Sequence, residues 1–174
     1  STAGLSVYFR DVTEARERER KLRELSERFQ LAAEGAAVGV WDWDLTTNEV
    51  QFDDRWAGML GYDKSEIDFE LSGWERRVHP EDIDEVWAEI EAHFAGETEL
   101  YQCDYRMETK GGDWIWIRDR GRVVERTDEG EPVRAVGIHI DVTDEKQRAR
   151  ERERYRRLVP EPAPALATAH RGGR

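Results

Sequence analysis

Between Glu99 and Thr143 the sequence ELYQCDYRMETKGGDWIWIRDRGRVVERTDEGEPVRAVGIHIDVT alternates three β-rich runs with two turn signals, and no other stretch restricts the fold as much. Tyr101 to Met107, Trp114 to Glu125 and Val133 to Val142 read as strands, while Lys110-Gly111-Gly112-Asp113 and Asp128-Glu129-Gly130-Glu131 read as tight turns. The product is an antiparallel meander. Successive strand side chains point to opposite faces, so Trp114 and Trp116 lie on one side of the middle strand and Ile115 and Ile117 on the other. Both faces are apolar, and each needs a cover from elsewhere in the chain.

The 174 residues suit one domain of about 100–150 residues with flanking segments. Seven Trp, five Tyr and five Phe supply the core despite a net charge of −12. That charge argues against nucleic acid as a partner, because phosphate neutralisation needs a basic excess on one face. In Glu14 to Arg28 and Asp144 to Arg157 nearly every Arg has an acid within one helical turn, as on a solvated helix. Acidic surplus with scarce Lys resembles proteins of salt-loving archaea. No apolar run reaches the length of a membrane span and no signal-peptide pattern opens the chain, so the expectation is a cytoplasmic segment without membrane contact. The single Cys103 allows no intramolecular disulfide, and the histidines have no zinc spacing. No nucleophile–base pairing is visible, and Gly111-Gly112 is a turn, not a phosphate-binding loop, so neither a catalytic nor a metal site is expected.

Along the chain, Phe9-Arg10-Asp11-Val12-Thr13-Glu14 matches His139-Ile140-Asp141-Val142-Thr143-Asp144 at an offset of 130, and a charged helix follows each copy. Residues 1–13 are therefore read as the end of a preceding repeat, 14–34 as a linker helix, 35–143 as the domain, 144–159 as an exit helix and 160–174 as a disordered tail. Thr13 is placed to cap the linker helix, whose apolar stripe is Leu22, Leu25, Phe29 and Ala32 or Ala33. Val40 to Leu45 and Val50 to Phe52 form a hairpin, with Trp41 and Trp43 on one face and Asp42 and Asp44 on the other. Asp53 or Asp54 caps a short helix that stops at Gly61, and another starts at Ser65. Pro80 fits the first position of a helix whose apolar face is Ile83, Val86, Trp87, Ile90 and Phe94. His93 falls off that face and is expected in solvent.

The string YRMETKGGDWIWIRDRGRVVERTDEGEPVRAVGIHIDVTDEK resembles the C-terminal half of a PAS sensory domain, with its Tyr-Arg strand, Lys-Asp-Gly-type turn, Trp strand and closing Asp-Ile/Val-Thr. Gly111 stands where the turn usually has Asp. Upstream, GVWDWDLTTNEVQFDDRWAGMLGY and WERRVHPEDIDEVW are similar to the N-terminal half, so the resemblance spans Gly35 to Thr143. It implies an α+β PAS fold with a five-stranded antiparallel sheet, helices on one face, and linker helices at both ends. It also implies signal input or relay in a multidomain protein such as a sensor histidine kinase.

The candidate pocket residues are Trp41, Trp43, Trp56, Met107, Ile115, Ile117 and His139. They could instead fill the core and leave a ligand-free dimerisation module. Haem or flavin is a further alternative: haem-binding relatives present a helical His near His93, and the flavin branch has a Gln at the place of His139. The flavin branch's Asn-Cys-Arg-Phe motif is missing, and Cys103 reads as a buried, inert thiol. His139 is either a core histidine satisfied by a neighbouring backbone group or a ligand contact. His79 reads as architectural. Asp141 and Thr143 carry the junction to the exit helix, with Thr143 as a cap and Asp141 as the group implied to pass the signal on.

The stripe of Leu22, Leu25 and Phe29 on a highly charged helix predicts a parallel homodimer through the linker helix. Light scattering at high micromolar concentration, in salt that screens the charge, should return twice the mass of the chain. A monomer there would rule the dimer out.

Overall fold

The computed structural model describes residues 13–36 and 38–158. The repeat segment before Thr13, the tail after Leu158 and the side chains of Thr13, Phe29, Ala32 and Ala33 lie outside what is described. Helix α1 (Thr13–Ala36) leads into β1 (Val38–Asp44) and β2 (Glu49–Phe52). Then come α2 (Asp54–Met59), a 3₁₀ turn (Lys64–Glu66), α3 (Leu71–Glu75) and α4 (Ile83–Phe94). The meander follows as β3 (Tyr101–Glu108), β4 (Trp114–Arg126) and β5 (Pro132–Asp141), and α5 (Thr143–Leu158) leaves it.

The five strands form one antiparallel sheet in the order β2-β1-β5-β4-β3. The first and last strands are thus neighbours, with Val38 opposite Ile140 and Asp44 opposite Arg134. This register sets the start of β1 beside the end of β5, so α1 and α5 meet the sheet at the same end. In β1 the strand period puts Trp41 and Trp43 inward and leaves Asp42 and Asp44 half-buried. The meander turns close at Gly112 (φ 85°) and Gly130 (φ 92°), conformations that cost glycine little.

The short helices pack on one face of the sheet. Asp53 caps α2 by accepting from the Trp56 N–H at 2.7 Å. The helix expected to start at Ser65 is only the 3₁₀ turn, whose capping box joins Asp63 and Glu66. Helix α4 begins at Ile83 rather than Pro80. The His79 carbonyl accepts from both Asp82 N and Ile83 N, and its Nδ1 accepts from Glu81 N, so residues 79–82 are spent on a turn. His93 corrects the expectation of a solvent-facing residue: it is 5% exposed. Its Nδ1 bonds the Thr98 carbonyl at 2.9 Å and its Nε2 accepts from Val123 N at 3.0 Å, so both ring nitrogens are satisfied within the fold.

Neither edge of the sheet is bare. On β2, Val50 N donates to the Phe69 carbonyl and Leu71 N to the Asn48 carbonyl; on β3, Glu108 N donates to the Arg77 carbonyl and His79 N to the Arg106 carbonyl. These connections consume edge groups that would otherwise pair with another chain. Asp82 fastens the second of them. Its carboxylate accepts from Arg106 N at 2.9 Å and from Nε at 2.9 Å, and Nη2 lies 2.5 Å from the other oxygen.

The Arg106 side-chain hydrogen bond, opposed by burial, holds the Asp82 carboxyl below its ordinary value. A carboxyl lowered in the folded state adds stability above its unfolded pKa of about 3.9 and loses it as pH falls through the folded value. Asp82→Asn should therefore lower the urea midpoint at pH 7 and flatten its decline between pH 5 and pH 2. Equal acid slopes in variant and wild type would mean that Asp82 does not contribute to acid sensitivity.

Candidate functional site

Cross-strand register assembles the site in rows on the inner face. One row runs Trp41, Gly137, Gly121, Tyr101 across β1, β5, β4 and β3, and the next runs Gly39, His139, Asp119, Cys103. The two central glycines have a steric cause. The Trp41 indole lies across them, and a Cβ at either position would collide with its ring. Lying flat on bare backbone, Trp41 reaches two strands away and donates from Nε1 to Asp119 Oδ1 at 2.8 Å.

Asp119 is 4% exposed and His139 2%. The Asp119 Oδ2 accepts from the Tyr105 hydroxyl at 3.0 Å and lies 3.0 Å from His139 Nε2. His139 Nδ1 accepts from Trp56 Nε1 at 2.7 Å, which places the imidazole proton on Nε2, facing Asp119 and the Tyr105 oxygen. Trp74 Nε1 completes the set by donating to the Tyr105 hydroxyl at 2.9 Å. Burial first, with the Asp119 charge adding to it, raises the Tyr105 hydroxyl well above its ordinary value and keeps it a donor. The expected backbone partner of His139 is thus replaced by side chains.

Beside this network, between sheet and helices, is a cavity of about 40 Å³. That is room for roughly three waters. Its walls include Trp41, Trp43, Phe52, Trp74 and Phe94, and its polar groups include Tyr101, Asp119 and His139. Of the residues expected at a pocket, Trp41, Trp43 and His139 line it. Trp56, Met107 and Ile117 are fully buried in the adjoining core, and Ile115 packs half-buried against that core. Tyr101 and Asp119 are the residues that sequence reasoning missed. Asp119 was findable: it has the parity of Ile115 and Ile117, and a carboxylate at a core parity needs partners.

The outer face holds the exit helix. Asp104 on β3 accepts from Arg118 Nε at 2.8 Å and Nη2 at 2.9 Å, and from Lys146 Nζ at 2.8 Å. Arg118 also pairs with Glu145 at 3.0 Å, and the cations of Lys146 and Arg150 lie 5.0 and 5.5 Å from the Trp116 ring centroid. The Arg118 hydrogen bond, and then that of Lys146, hold the Asp104 carboxyl below its ordinary value against the effect of burial. At the junction, Thr143 N donates to Asp141 Oδ1 at 2.8 Å, and the Thr143 hydroxyl, expected to cap its own helix, accepts instead from Trp116 N at 2.9 Å.

A family model for the PAS fold matches residues 49–139. The chain belongs to the PAS fold family. A sensory box histidine kinase/response regulator structure from Burkholderia thailandensis E264 is 36% identical, with a TM-score of 0.65 over 75% of this chain and 99% of that one. The N-terminal domain of a diguanylate cyclase with PAS/PAC sensor from Marinobacter aquaeolei is 26% identical, with a TM-score of 0.55, over 63% of this chain and 98% of that one. Among curated proteins, the chain is 28% identical over 84% of its length to the probable diguanylate cyclase DgcE of Escherichia coli K12 and 27% identical over 68% to the non-motile and phage-resistance protein of Caulobacter vibrioides. It spans 13% and 14% of those two relatives. This PAS domain is a signal-sensing module of that kind.

The residues of this PAS domain do not fit haem or flavin. Trp41 occupies the space over Gly121 and Gly137, and both nitrogens of His93 are engaged. Burial pushes the half-buried Cys103 thiol up to about 12, which keeps it protonated and unreactive. Among the described residues no group of His, Cys, Asp and Glu could hold a metal ion. None of the described helices is long and apolar enough to cross a membrane.

Asp119→Ala should cost about 3 kcal/mol or more, because it leaves the donors of Trp41 and Tyr105 buried without an acceptor and leaves His139 Nε2 only the Tyr105 oxygen. Urea unfolding measures it. A loss under about 1 kcal/mol would show that the network does not hold the core.

Proposed function

We propose that this PAS domain senses a small ligand at the Asp119 cavity and relays its state through α5 to an output domain of the sensor histidine kinase type. One observation carries the reading. Adjacent residues of β4 serve the two ends of the path, with Asp119 facing the cavity and Arg118 holding Asp104 and Glu145 on the outer face. A shift of β4 by a fraction of an ångström changes both sets of contacts together. Asp141 and Thr143 add a second link, since Thr143 bonds the β4 backbone directly.

The exposed Leu22 and Leu25, at 67% and 65%, support pairing of α1 with the same helix of a second copy. Because α1 and α5 meet the sheet at one end, such a dimer would feel a displacement of α5 at its own interface. The ligand-free dimerisation reading is favoured by the Trp41 ring filling the space over the sheet. It leaves the Trp43 and Tyr101 donors of the cavity wall to be met by water alone.

Asp104→Ala tests the relay. It removes no apolar core contact and deletes the shared partner of Arg118 and Lys146, so hydrogen exchange should quicken across Asp144 to Leu158 while Trp114 to Val124 stays protected. Equal loss in both regions would make Asp104 a fold residue, and no change in either would remove it from the path.

A further inference from the structure

Two buried donors in the cavity wall lack a close acceptor. Trp43 is 8% exposed and Tyr101 4%; the Trp43 Nε1–H has no hydrogen-bond partner, and the Tyr101 hydroxyl, drawn toward Asp119, makes no hydrogen bond of ordinary length. A buried donor left without a partner is costly, and native structures rarely leave two at one cavity without an occupant to satisfy them. The indole N–H can only donate. Burial, and then the nearby Asp119 charge, raise the Tyr101 hydroxyl well above its ordinary range, so it too stays protonated and offers a hydrogen.

Asp119 supplies the opposite function. Its Oδ1 accepts one bond, from Trp41, and a carboxylate oxygen has two lone pairs, so one acceptor site remains on a residue that lines the same cavity. The same charge sits where an anion would be repelled. Of the basic residues at the wall, His93 and His139 have all their nitrogens engaged, and Arg122 is exposed, its strand parity carrying the guanidinium to the outer face of β4. The remaining inward side chains, among them Val50, Phe52, Leu71, Ile90 and Phe94, are aromatic and aliphatic, which suits a ligand with a small apolar part.

We infer that the cavity takes a compact, uncharged ligand of the primary-amide type, whose carbonyl oxygen accepts from Trp43 and Tyr101 and whose N–H donates to Asp119. The inference rests on the sensory reading above and names the ligand class for it. A volume of about 40 Å³ matches a molecule of roughly three or four non-hydrogen atoms. So few atoms bring an affinity on the order of millimolar.

The test titrates the whole chain, ¹⁵N-labelled at its indoles, with acetamide, acetone and acetate. Trp43→Phe assigns the resonance of interest. Acetamide should move the Trp43 indole signal to saturation in the millimolar range, with acetone weaker for want of a donor to Asp119. Acetate, similar in shape but charged, should give no saturable shift at ten-fold higher concentration, a comparison of about ten-fold being one hydrogen bond's worth. Tyr101→Phe should weaken acetamide about five-fold, read on the untouched Trp43 signal. Acetate binding as well as acetamide overturns the uncharged class. Absence of saturable binding by any probe, or no effect of Tyr101→Phe, overturns the site. Either result leaves the relay standing if Asp104→Ala still loosens α5 alone, and the relay falls separately if it does not.

Discussion

The hydrogen bond from Trp41 to Asp119 joins a first-strand indole to a carboxylate two strands away, and the inner face of the sheet is arranged to allow it. A charge at 4% exposure is costly to bury and stays only where donors surround it. Here the donors come from β1, β3 and β5, and the network extends through Trp56 to α2 and through Trp74 to α3. Apolar packing alone would tolerate several arrangements of so many aromatic rings. A one-residue slip of β4 would turn Asp119 outward and strand its donors, so the network also fixes register.

Much of this fold was legible because strand and helix periods are simple. The alternation of Trp41 and Trp43 with Asp42 and Asp44 gave the inward face of β1, and the glycine turns delimited the meander. What could not be read depends on register between distant segments. Asp104 and Arg118 are unremarkable charges until β3 is aligned on β4, when they stand opposite each other with Lys146 and Glu145 within reach. His93 looked like a surface residue because the apolar stripe of α4 was defined by side-chain type. Its burial comes from hydrogen bonds to Thr98 and Val123, which replace water at both nitrogens. Pro80 and its acids announce a helix start but serve a turn, since the His79 ring takes the Glu81 N–H and its carbonyl the next two. Trp56, Met107 and Ile117 were rightly apolar and buried, but inward orientation does not tell a cavity wall from solid core.

The two faces of β4 work under different physics. Inside, hydrogen bonds are shielded from water and their loss is expensive. Outside, α5 is held by ion pairs and by cations over the Trp116 ring, contacts that are individually worth on the order of 1 kcal/mol and are weakened by salt. The sum is comparable to the coupling of about 1–3 kcal/mol that a bound ligand typically exerts on a distant site. A helix held by an apolar stripe of core quality would not be released by so little. The absence of buried residues on the described α5 fits a docked element that can let go.

The flat seat of Trp41 on Gly121 and Gly137 makes positions 41, 121 and 137 a single steric unit drawn from three strands. Backbone carbonyls of Val136 and Arg120 also crowd the two glycines, so the adjustable member of the unit is position 41, where a smaller residue would uncover a planar slot on the sheet with the Asp119 oxygen at its far end. Within this scaffold the size of the binding chamber is thus set by one indole, so a change of ligand class is reachable through a single codon while the surrounding sheet keeps its shape.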